Sequence, residues 1–370
     1  MMNVRFVDLK AQYLEIREEI DEAIQAVIEQ SAFINGPYLK AFEREFADYL
    51  GVKHCIGVGN GTDALFVALK VLGVKEGDEI ITVANSFIAT SEAISLCGGK
   101  VVFVDCRPNT YNIDVDKIEN YINRKTKGII PVHLYGQPAD MDAILDIADK
   151  YDLFVVEDAA QAHGAKYKGK MAGGLAHCAC FSFFPGKNLG AYGDGGAVVT
   201  NDEDLARKVS MTANHGRMKK FFHEFEGCNS RLDGLQAAIL GVKLKHLDRW
   251  NQRRREIAAR YDNAFHEVAE IPEVRDDVEH VYHLYVIRVP NRDKIRVMLS
   301  ERGIATGIHY PVPLPFLKAY EYLEIRPSDY PVSSRLKDEI LSLPIHGSMT
   351  DQEVDYVIQQ VFDILKSEGS

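Results

Sequence analysis

Short apolar runs that alternate with amphipathic stretches constrain the fold of this chain more than any other feature. Four runs rich in β-branched residues lie at positions 80–83, 101–104, 128–132 and 153–156. Continuous apolar runs of this length are typical of strands that are buried on both faces. Between the last two runs, one helical face collects Met141, Ile144, Leu145 and Ala148. The alternation predicts an α/β fold with a mostly parallel sheet between helices, and ligands bound beyond the carboxyl ends of the strands.

Helical patterns precede and follow this region. Apolar residues recur at helical spacing over positions 20–28 and 39–46, and the breaker Asn-Gly-Pro at 35–37 separates them. We therefore predict two helices at the start of the chain. Further along, a charge-studded stretch over 235–261 predicts one long helix that leads out of the sheet domain.

The remaining third of the chain has a different pattern. It contains a strand-like run at 285–289, a proline-rich loop at 310–315 and a helical pattern at 354–365. A chain of 370 residues is long enough for about two domains. We predict a large domain over residues 1–250, which includes the N-terminal helical segment, and a smaller α+β domain over residues 251–370.

The charge balance limits the possible partners. Lys plus Arg number 43 and Asp plus Glu number 54, which gives a formal net charge of −11. An acidic balance opposes non-specific binding to nucleic acid, so we expect no nucleic-acid partner. The first residues lack the apolar segment of a signal peptide, and no run approaches the ~18 apolar residues of a membrane span. We expect a cytoplasmic protein without a membrane partner.

The cysteines indicate a reducing compartment. The chain has six of them, without a CxxC pair and without the spacing of a metal finger. Cys178 and Cys180 could ligate a metal as a Cys-x-Cys pair, but we favour packed, reduced thiols as the interpretation. We predict no metal site.

A carboxylate and a lysine form the most informative pair of residues. Asp158 ends a predicted strand, and Lys187 follows in a loop rich in glycine and proline. Chemistry that uses pyridoxal phosphate needs both groups. A buried carboxylate keeps the pyridine nitrogen protonated, and a lysine amine holds the aldehyde as a Schiff base. Taken alone, Asp158 is also a typical turn or helix-cap residue, and Lys187 a typical surface charge.

A glycine-rich segment suggests a phosphate site. The sequence GVGNGT at 57–62 precedes a helical run at 63–72, so free backbone N–H groups and the Thr62 hydroxyl would face an anion. A dinucleotide fingerprint would require glycine at Thr62, which disfavours a plain nucleotide-binding module. The alternative is a helix capped by Thr62 with no ligand.

Five ordered motifs together resemble a known family. They are NGT at 60–62, ANSFIAT at 84–90, EDAAQ at 157–161, FSFFPGKNLG at 181–190 and NSRLD at 229–233. In this order they resemble the DegT-type nucleotide-sugar aminotransferases, which are fold-type-I enzymes that use pyridoxal phosphate. The resemblance extends from Phe6 nearly to the C-terminus. It implies the same fold class and cofactor for this chain.

The resemblance also assigns roles around the cofactor ring. Lys187 would carry the Schiff base and act in catalysis, and Asp158 would pair with the pyridinium nitrogen. Gln161 would hydrogen-bond the phenolic oxygen of the ring. Phe87 would stack on the ring face, although core packing would call for the same flat apolar side chain.

The resemblance places the phosphate between two subunits. It would be held by Gly61, Thr62 and Ser182, and by Asn229 of the other subunit. A homodimer with shared active sites follows from that role. Asn229 also precedes a predicted helix, so a helix cap is its alternative role.

The substrate residues and the reaction are likewise implied by the resemblance. His309 and Tyr310 lie in a segment similar to the sugar-facing loop of the family, and a structural role is open for both. Many relatives carry His and Gln where this chain has Pro315 and Leu317, which affects the sugar contacts. An amino donor, glutamate in the family, would load the cofactor, and a nucleotide-linked keto sugar would then take the nitrogen.

The segment around Lys187 resembles enzymes that aminate carbon 3 of the sugar. We therefore favour a dTDP-linked 3-keto-6-deoxyhexose, with a UDP-linked 3-keto sugar or a 4-keto sugar as alternatives. A dehydratase of the family would have lost the lysine, so Lys187 argues against that activity. A non-catalytic regulator that binds pyridoxal phosphate is a further alternative. It would be expected to have an eroded site, and none of the motif positions is eroded.

Overall fold

The computed structural model describes residues 2–368. Its helices are α1 (Leu9–Glu15), α2 (Arg17–Glu29), α3 (Pro37–Leu50), α4 (Gly61–Val71), α5 (Ala89–Leu96), α6 (Val115–Ile118), α7 (Met141–Tyr151), α8 (Glu203–Ala213), α9 (Gly234–Leu244), α10 (Leu247–Phe265), α11 (Arg292–Glu301), α12 (Pro331–Glu339) and α13 (Asp351–Glu368). Its strands are β1 (His54–Val58), β2 (Glu79–Val83), β3 (Lys100–Val104), β4 (Thr126–Ile130), β5 (Phe154–Asp158), β6 (Lys166–Tyr167), β7 (Lys170–Met171), β8 (Cys178–Ser182), β9 (Gly196–Thr200), β10 (Val278–Glu279), β11 (Tyr285–Arg288) and β12 (Ile340–Leu343).

A seven-stranded sheet forms the centre of the molecule, in the order β1-β9-β8-β5-β4-β2-β3. The pairs from β8 through β5, β4 and β2 to β3 are parallel, and β9 is antiparallel to both of its neighbours. The four strands predicted from apolar runs correspond to β2, β3, β4 and β5. The prediction of a mixed, mostly parallel sheet between helices is confirmed.

Helices cover this sheet on both faces. Successive residues of a strand point to opposite faces. In β2, Ile80 packs in a hydrophobic cluster with Leu65 of α4, whereas Ile81 packs in another with Ile144 of α7. A further cluster fills the space between α3, α9 and the strands β8 and β9. Burial on both faces explains why these strands are continuous apolar runs instead of alternating ones.

The C-terminal part of the chain has its own small sheet. β11 and β12 form an antiparallel pair, and a hydrophobic cluster joins them to α10, α11 and α13. The boundary predicted between residues 250 and 251 falls inside α10 (Leu247–Phe265). The division into domains at that position therefore stays a prediction, and α10 is the segment on which it depends.

The single long helix predicted over 235–261 is wrong. The structure has two helices, α9 and α10, which meet at Lys245 and His246. There the backbone amides bond three residues back, to the carbonyls of Val242 and Lys243, at 3.2 and 3.0 Å. This tight turn ends α9 without glycine or proline, so the sequence offered no breaker signal.

Candidate active site

Asp158 lies where β5 ends, at the carboxyl edge of the sheet. Its buried carboxylate accepts hydrogen bonds from the Thr90 hydroxyl, at 2.6 Å, and from the Ala160 backbone N–H, at 3.1 Å. Thr90 lies in the first turn of α5, the helix that follows β2 in the chain. The bond to Ala160 is that of a turn residue, and no helix begins after Asp158. The two donors stabilise the carboxylate and fix its direction.

Lys187 occupies a compact turn between β8 and β9. The Lys187 N–H donates to the Phe184 carbonyl at 2.9 Å, and the Ala191 N–H donates to the Phe183 carbonyl at 2.8 Å. At Gly190 the backbone approaches itself so closely that a Cβ atom would lie 2.3 Å from the Pro185 carbonyl oxygen. Only glycine fits at that position.

The surroundings of Lys187 favour its neutral amine. Burial lowers the pKa of Lys187 to about 8, against the attraction of the Asp158 carboxylate, which raises it. An ordinary surface lysine would stay almost fully protonated near neutral pH. The structure therefore places the amine in the electrostatic field of Asp158, in an environment unlike that of a solvated surface lysine.

Gln161 connects predicted cofactor and substrate residues. Its side-chain oxygen accepts from the Tyr135 backbone N–H at 2.7 Å, and its side-chain nitrogen donates to the Tyr310 hydroxyl at 3.1 Å. The Tyr310 ring lies 5.9 Å from the Phe87 ring between centroids. Phe87 is 55% exposed, so its ring is not part of the core, contrary to the alternative role considered from the sequence.

His309 is held in place by its neighbours. Its Nδ1 atom lies 2.8 Å from the Ser342 hydroxyl, and its ring stacks on Phe6 with centroids 5.6 Å apart. The His309 carbonyl accepts a hydrogen bond from the Tyr135 hydroxyl. Burial lowers the pKa of His309 to about 4, and the charge of Lys187 acts in the same direction. His309 is therefore a neutral imidazole near Lys187, and its contact with substrate stays a prediction.

The start of α4 and the end of β8 form a narrow cradle. A Cβ atom on Gly61 would lie 2.6 Å from the Ser182 Cβ atom. The Asn60 side chain caps α4 by accepting from the Asp63 N–H at 2.8 Å, so the alternative of a helix capped by Thr62 is wrong. The N–H groups of the first turn and the hydroxyl of Ser182 thus lie side by side, an arrangement that suits an anion.

Asn229 lies next to the same cradle. The side chain of Ser230 donates to the Asp63 carboxylate at 2.6 Å and accepts from the Gly59 N–H at 2.9 Å, which ties the segment to α4 of its own chain. Asn229 itself is exposed. The alternative of a helix cap is wrong, because α9 begins at Gly234 and its N-cap residue is Asp233. Action across a subunit interface stays a prediction.

Three residues of the site were missed from the sequence. Thr90 bonds Asp158, Tyr135 bonds Gln161 and His309, and Asn188 fixes the turn next to Lys187. The Asn188 amide donates to the Asn251 side chain at 2.8 Å. Thr90 and Asn188 belong to motifs that were recognised, so a search for polar residues inside those motifs would have found them. Tyr135 lies outside every motif.

The described residues fit pyridoxal phosphate. The cofactor needs an amine for its aldehyde, a carboxylate for its ring nitrogen, an anion cradle and a flat apolar contact. Lys187 and Asp158 supply the first two. The approach of Gly61 to Ser182 leaves a cradle that a side chain on Gly61 would fill, and Phe87 offers a ring face that the core does not cover.

Metal and membrane signals are absent from the part of the chain that the structure describes. Within residues 2–368, no group of three His, Cys, Asp or Glu side chains could hold a metal ion. Cys178 and Cys180 are free, buried thiols in the same hydrophobic cluster. None of the helices in this range combines the length and apolar character that a membrane crossing needs.

Residues 14–362 match the DegT/DnrJ/EryC1/StrS aminotransferase family. The chain belongs to this family. Among its relatives there, a dTDP-3-amino-3,6-dideoxy-alpha-D-galactopyranose transaminase of Aneurinibacillus thermoaerophilus is 47% identical over 97% of this chain and 98% of that protein. A UDP-2-acetamido-2-deoxy-3-oxo-D-glucuronate aminotransferase of Pseudomonas aeruginosa is 43% identical over 93% of this chain and 95% of that protein. A "Pleiotropic regulatory protein" of Geobacillus stearothermophilus is 46% identical over 99% of both chains.

Two solved structures share the whole fold. S. venezuelae DesV in complex with a ketimine intermediate has a TM-score of 0.97 and 42% identity, covering 99% of both chains. NtdA from Bacillus subtilis with bound cofactor PMP has a TM-score of 0.92 and 35% identity, covering 99% of this chain and 86% of that one. The chain is therefore a sugar aminotransferase that depends on pyridoxal phosphate. The family, fold class, enzyme class and cofactor predicted from the sequence are confirmed.

Proposed function

We propose that this aminotransferase moves the amino group of glutamate to carbon 3 of a keto sugar linked to a nucleoside diphosphate, with a dTDP-linked 3-keto-6-deoxyhexose as the favoured acceptor. The observation that carries the amino transfer is the Lys187 amine in the turn after β8, whose pKa burial lowers to about 8 while Asp158 lies within its field. The choice of carbon 3 is supported by the relatives named for 3-amino and 3-oxo sugars. When bound, pyridoxal phosphate carries the nitrogen between the two substrates and takes up the electron pair of the deprotonated carbon.

Lys187 acts as the proton carrier. At neutral pH a usable fraction of its amine is neutral, so Nζ accepts the proton from the substrate carbon and returns it on the cofactor side. The compact turn at Lys187, closed at Gly190, keeps the Cα atom in one position while the side chain moves. The amine therefore serves as base and then as acid without a change of the backbone.

Asp158 and Gln161 orient the ring. The bonds from Thr90 and Ala160 hold the Asp158 carboxylate at the edge of the sheet, where it would pair with a protonated ring nitrogen. Gln161 uses its oxygen for the Tyr135 N–H and one amide hydrogen for Tyr310, which leaves a second amide hydrogen for the phenolic oxygen of the ring.

His309 and Tyr310 face the sugar in this proposal. The lowered pKa of His309, about 4, makes the imidazole neutral, so it recognises hydroxyl groups by hydrogen bonding without attracting charge. Tyr310 lies between Gln161 and Phe87, and its hydroxyl links the cofactor residues to the sugar. The relatives named for dTDP-linked and UDP-linked 3-amino sugars support a 3-keto acceptor and leave two nucleotide bases as candidates.

The acceptor is tested by single turnover of protein loaded with pyridoxamine phosphate. The acceptors are a dTDP-linked 3-keto-6-deoxyhexose, a UDP-linked 3-keto sugar and a dTDP-linked 4-keto sugar. We expect rapid amination of the first, with return of the cofactor absorbance of the pyridoxal form. Faster amination of the 4-keto sugar would contradict the carbon-3 assignment. Faster amination of the UDP-linked 3-keto sugar would show that UDP, and not dTDP, is the nucleotide.

Two controls define the donor and the regulatory alternative. Glutamate and alanine are compared in the first half-reaction, where we expect glutamate to convert the cofactor faster. The relative named as a pleiotropic regulatory protein makes a non-catalytic role worth testing. That role would gain support if cofactor bound normally and no donor or acceptor in the panel gave turnover.

A further inference from the structure

Lys243 is a buried lysine that contacts the turn carrying Lys187. It lies on α9, and its side chain is fully buried. The Nζ atom donates to the Gly190 carbonyl at 2.5 Å and lies 4.7 Å from the centre of the Tyr192 ring. Both partners belong to the segment that follows Lys187 in the sequence.

Among the residues that the structure describes, no carboxylate pairs with Lys243. Within residues 2–368 it forms no ion pair, and burial lowers its pKa to about 7. A buried amine without a counter-charge is unfavourable, and an apolar side chain of similar volume would fit a protein core better. Its two contacts, a carbonyl oxygen and an aromatic face, are the groups that can accept an ammonium in such surroundings.

A second side chain of α9 binds the same segment. The Gln236 side-chain oxygen accepts from the Tyr192 N–H at 2.8 Å, and its side-chain nitrogen lies 3.5 Å from the Tyr192 carbonyl. Directly after Lys187, Asn188 is fixed by Asn251 of α10. The segment directly after Lys187 is therefore anchored to two helices, at Gly190 and Tyr192 by α9 and at Asn188 by α10.

We propose that Lys243 is a positioning residue for Lys187. Through its contacts with Gly190 and Tyr192 it fixes the turn that carries Lys187. The role goes beyond the proposed function and rests on it only in taking Lys187 as the reactive amine. The proposal does not depend on the identity of the sugar. Its test therefore uses no sugar, and the result is independent of the acceptor assignment.

The test compares Lys243→Met with Lys243→Gln. Methionine fills a similar volume without a hydrogen-bond donor, and glutamine keeps a donor that can reach toward Gly190. The matched control is Lys245→Met, at the exposed C-cap position of α9. Three quantities are measured for each protein: amide hydrogen exchange over residues 187–192 in the cofactor-free and the loaded form, the urea midpoint of unfolding, and the rate at which cofactor-free protein captures pyridoxal phosphate on Lys187.

In Lys243→Met we expect the amide hydrogens of Ala191 and Tyr192 to exchange about five- to tenfold faster, which is the effect expected when one hydrogen bond is lost. Capture of pyridoxal phosphate slows by about tenfold because the amine is less well placed. The urea midpoint stays the same or rises, since a buried charge is removed. Lys243→Gln recovers part of both rates, and Lys245→Met resembles the parent protein.

Two results would overturn the proposal. One is unchanged exchange and capture in Lys243→Met, which would make the contact with Gly190 irrelevant to Lys187. The other is a fall of the urea midpoint with faster exchange throughout the large sheet, which would make Lys243 a general stabilising residue. If Lys243→Met does not fold, Lys243→Gln decides the question by the same two rates.

Discussion

The state of one amine governs the chemistry at the residue scale. Removing a lysine from water disfavours its charged form, whereas a nearby carboxylate favours it. At Lys187 burial is the larger effect, so the pKa falls to about 8 although Asp158 lies close. Lys187 is thus reactive near neutral pH without a separate base to activate it.

The pH dependence of cofactor capture follows from this value. Because the pKa of Lys187 is lowered from the ordinary 10.5 to about 8, the neutral amine increases as the pH rises through about 8. Cofactor-free protein should therefore capture pyridoxal phosphate faster with rising pH and reach a plateau above about 9. Stopped-flow absorbance measures the rate. A rate that continues to rise toward pH 10.5 would show that Lys187 titrates like a solvated lysine.

Replacement of Lys187 should separate binding from turnover. In Lys187→Ala the cradle, Asp158 and Phe87 remain, so pyridoxal phosphate should stay bound through gel filtration. Turnover should fall by about 10²–10⁴-fold or more, because the proton carrier is lost. In the parent protein, borohydride should fix the cofactor on Lys187, as read from a peptide map. A label on another lysine, or multiple turnovers by Lys187→Ala at close to the rate of the parent protein, would disprove the assignment.

At the scale of elements, the first turn of α4 creates the anion cradle. A helix N-terminus presents free N–H groups, and here Asn60 satisfies one of them while Ser182 of β8 lies beside the others. The glycine at position 61 is needed because helix and strand approach more closely than a side chain allows. The cradle therefore depends on the packing of α4 against β8.

Replacement of Gly61 tests this packing. A methyl group in Gly61→Ala would lie 2.6 Å from the Ser182 Cβ atom, so the turn must move away from β8. We expect cofactor affinity to fall by about tenfold or more, with a smaller effect on unfolding. Gly241→Ala in α9 is the control, because the nearest atom is 3.6 Å away and alanine favours a helix. Equal cofactor affinity in Gly61→Ala and the parent protein would remove Gly61 from the site.

At the scale of the whole molecule, the exposed position of Asn229 raises the question of a second subunit. The segment before it exposes large apolar side chains, which are Met218, Phe221, Phe222 and Phe225. Exposed apolar groups of this size are typical of contact surfaces. Ser230 ties the segment to α4 of its own chain, next to the anion cradle. The prediction that Asn229 acts across a subunit interface therefore has a direct competitor, which is action in the site of its own chain.

Mixed dimers distinguish these two cases. Subunits with Asn229→Ala are combined with subunits with Lys187→Ala, and activity is measured after exchange. If Asn229 acts across the interface, one site in each mixed dimer pairs an intact Lys187 with an intact Asn229, so activity returns. If it acts within its own chain, no site is complete. For Asn229→Ala alone we expect cofactor retention to weaken about ten- to hundredfold, the loss of one charge-assisted bond.

Mixed dimers that stay inactive, in a preparation confirmed to contain them, would place Asn229 in the site of its own chain. Unchanged cofactor retention in Asn229→Ala would remove it from the phosphate site altogether. Neither result would change the roles proposed for Lys187 and Asp158.

Much of the large domain was accessible from the sequence because burial on both faces makes its strands continuous apolar runs. The predictions of the strands β2 to β5 and of the helices α2, α3, α7 and α13 agree with the structure. The break between α9 and α10 was not accessible, because a turn of three-residue hydrogen bonds leaves no glycine or proline behind. Local signals report local structure, and this break has none.

Five ordered motifs likewise led to the family, the cofactor and the identity of Lys187 and Asp158 as candidates. What only the tertiary structure decided is which side chains meet. Thr90 reaches Asp158, Tyr135 reaches Gln161, and Lys243 reaches Gly190. These partners are far apart along the chain and meet only after the sheet and helices have packed. Tertiary packing also sets the pKa of Lys187, because burial is a property of the assembled fold and not of a motif.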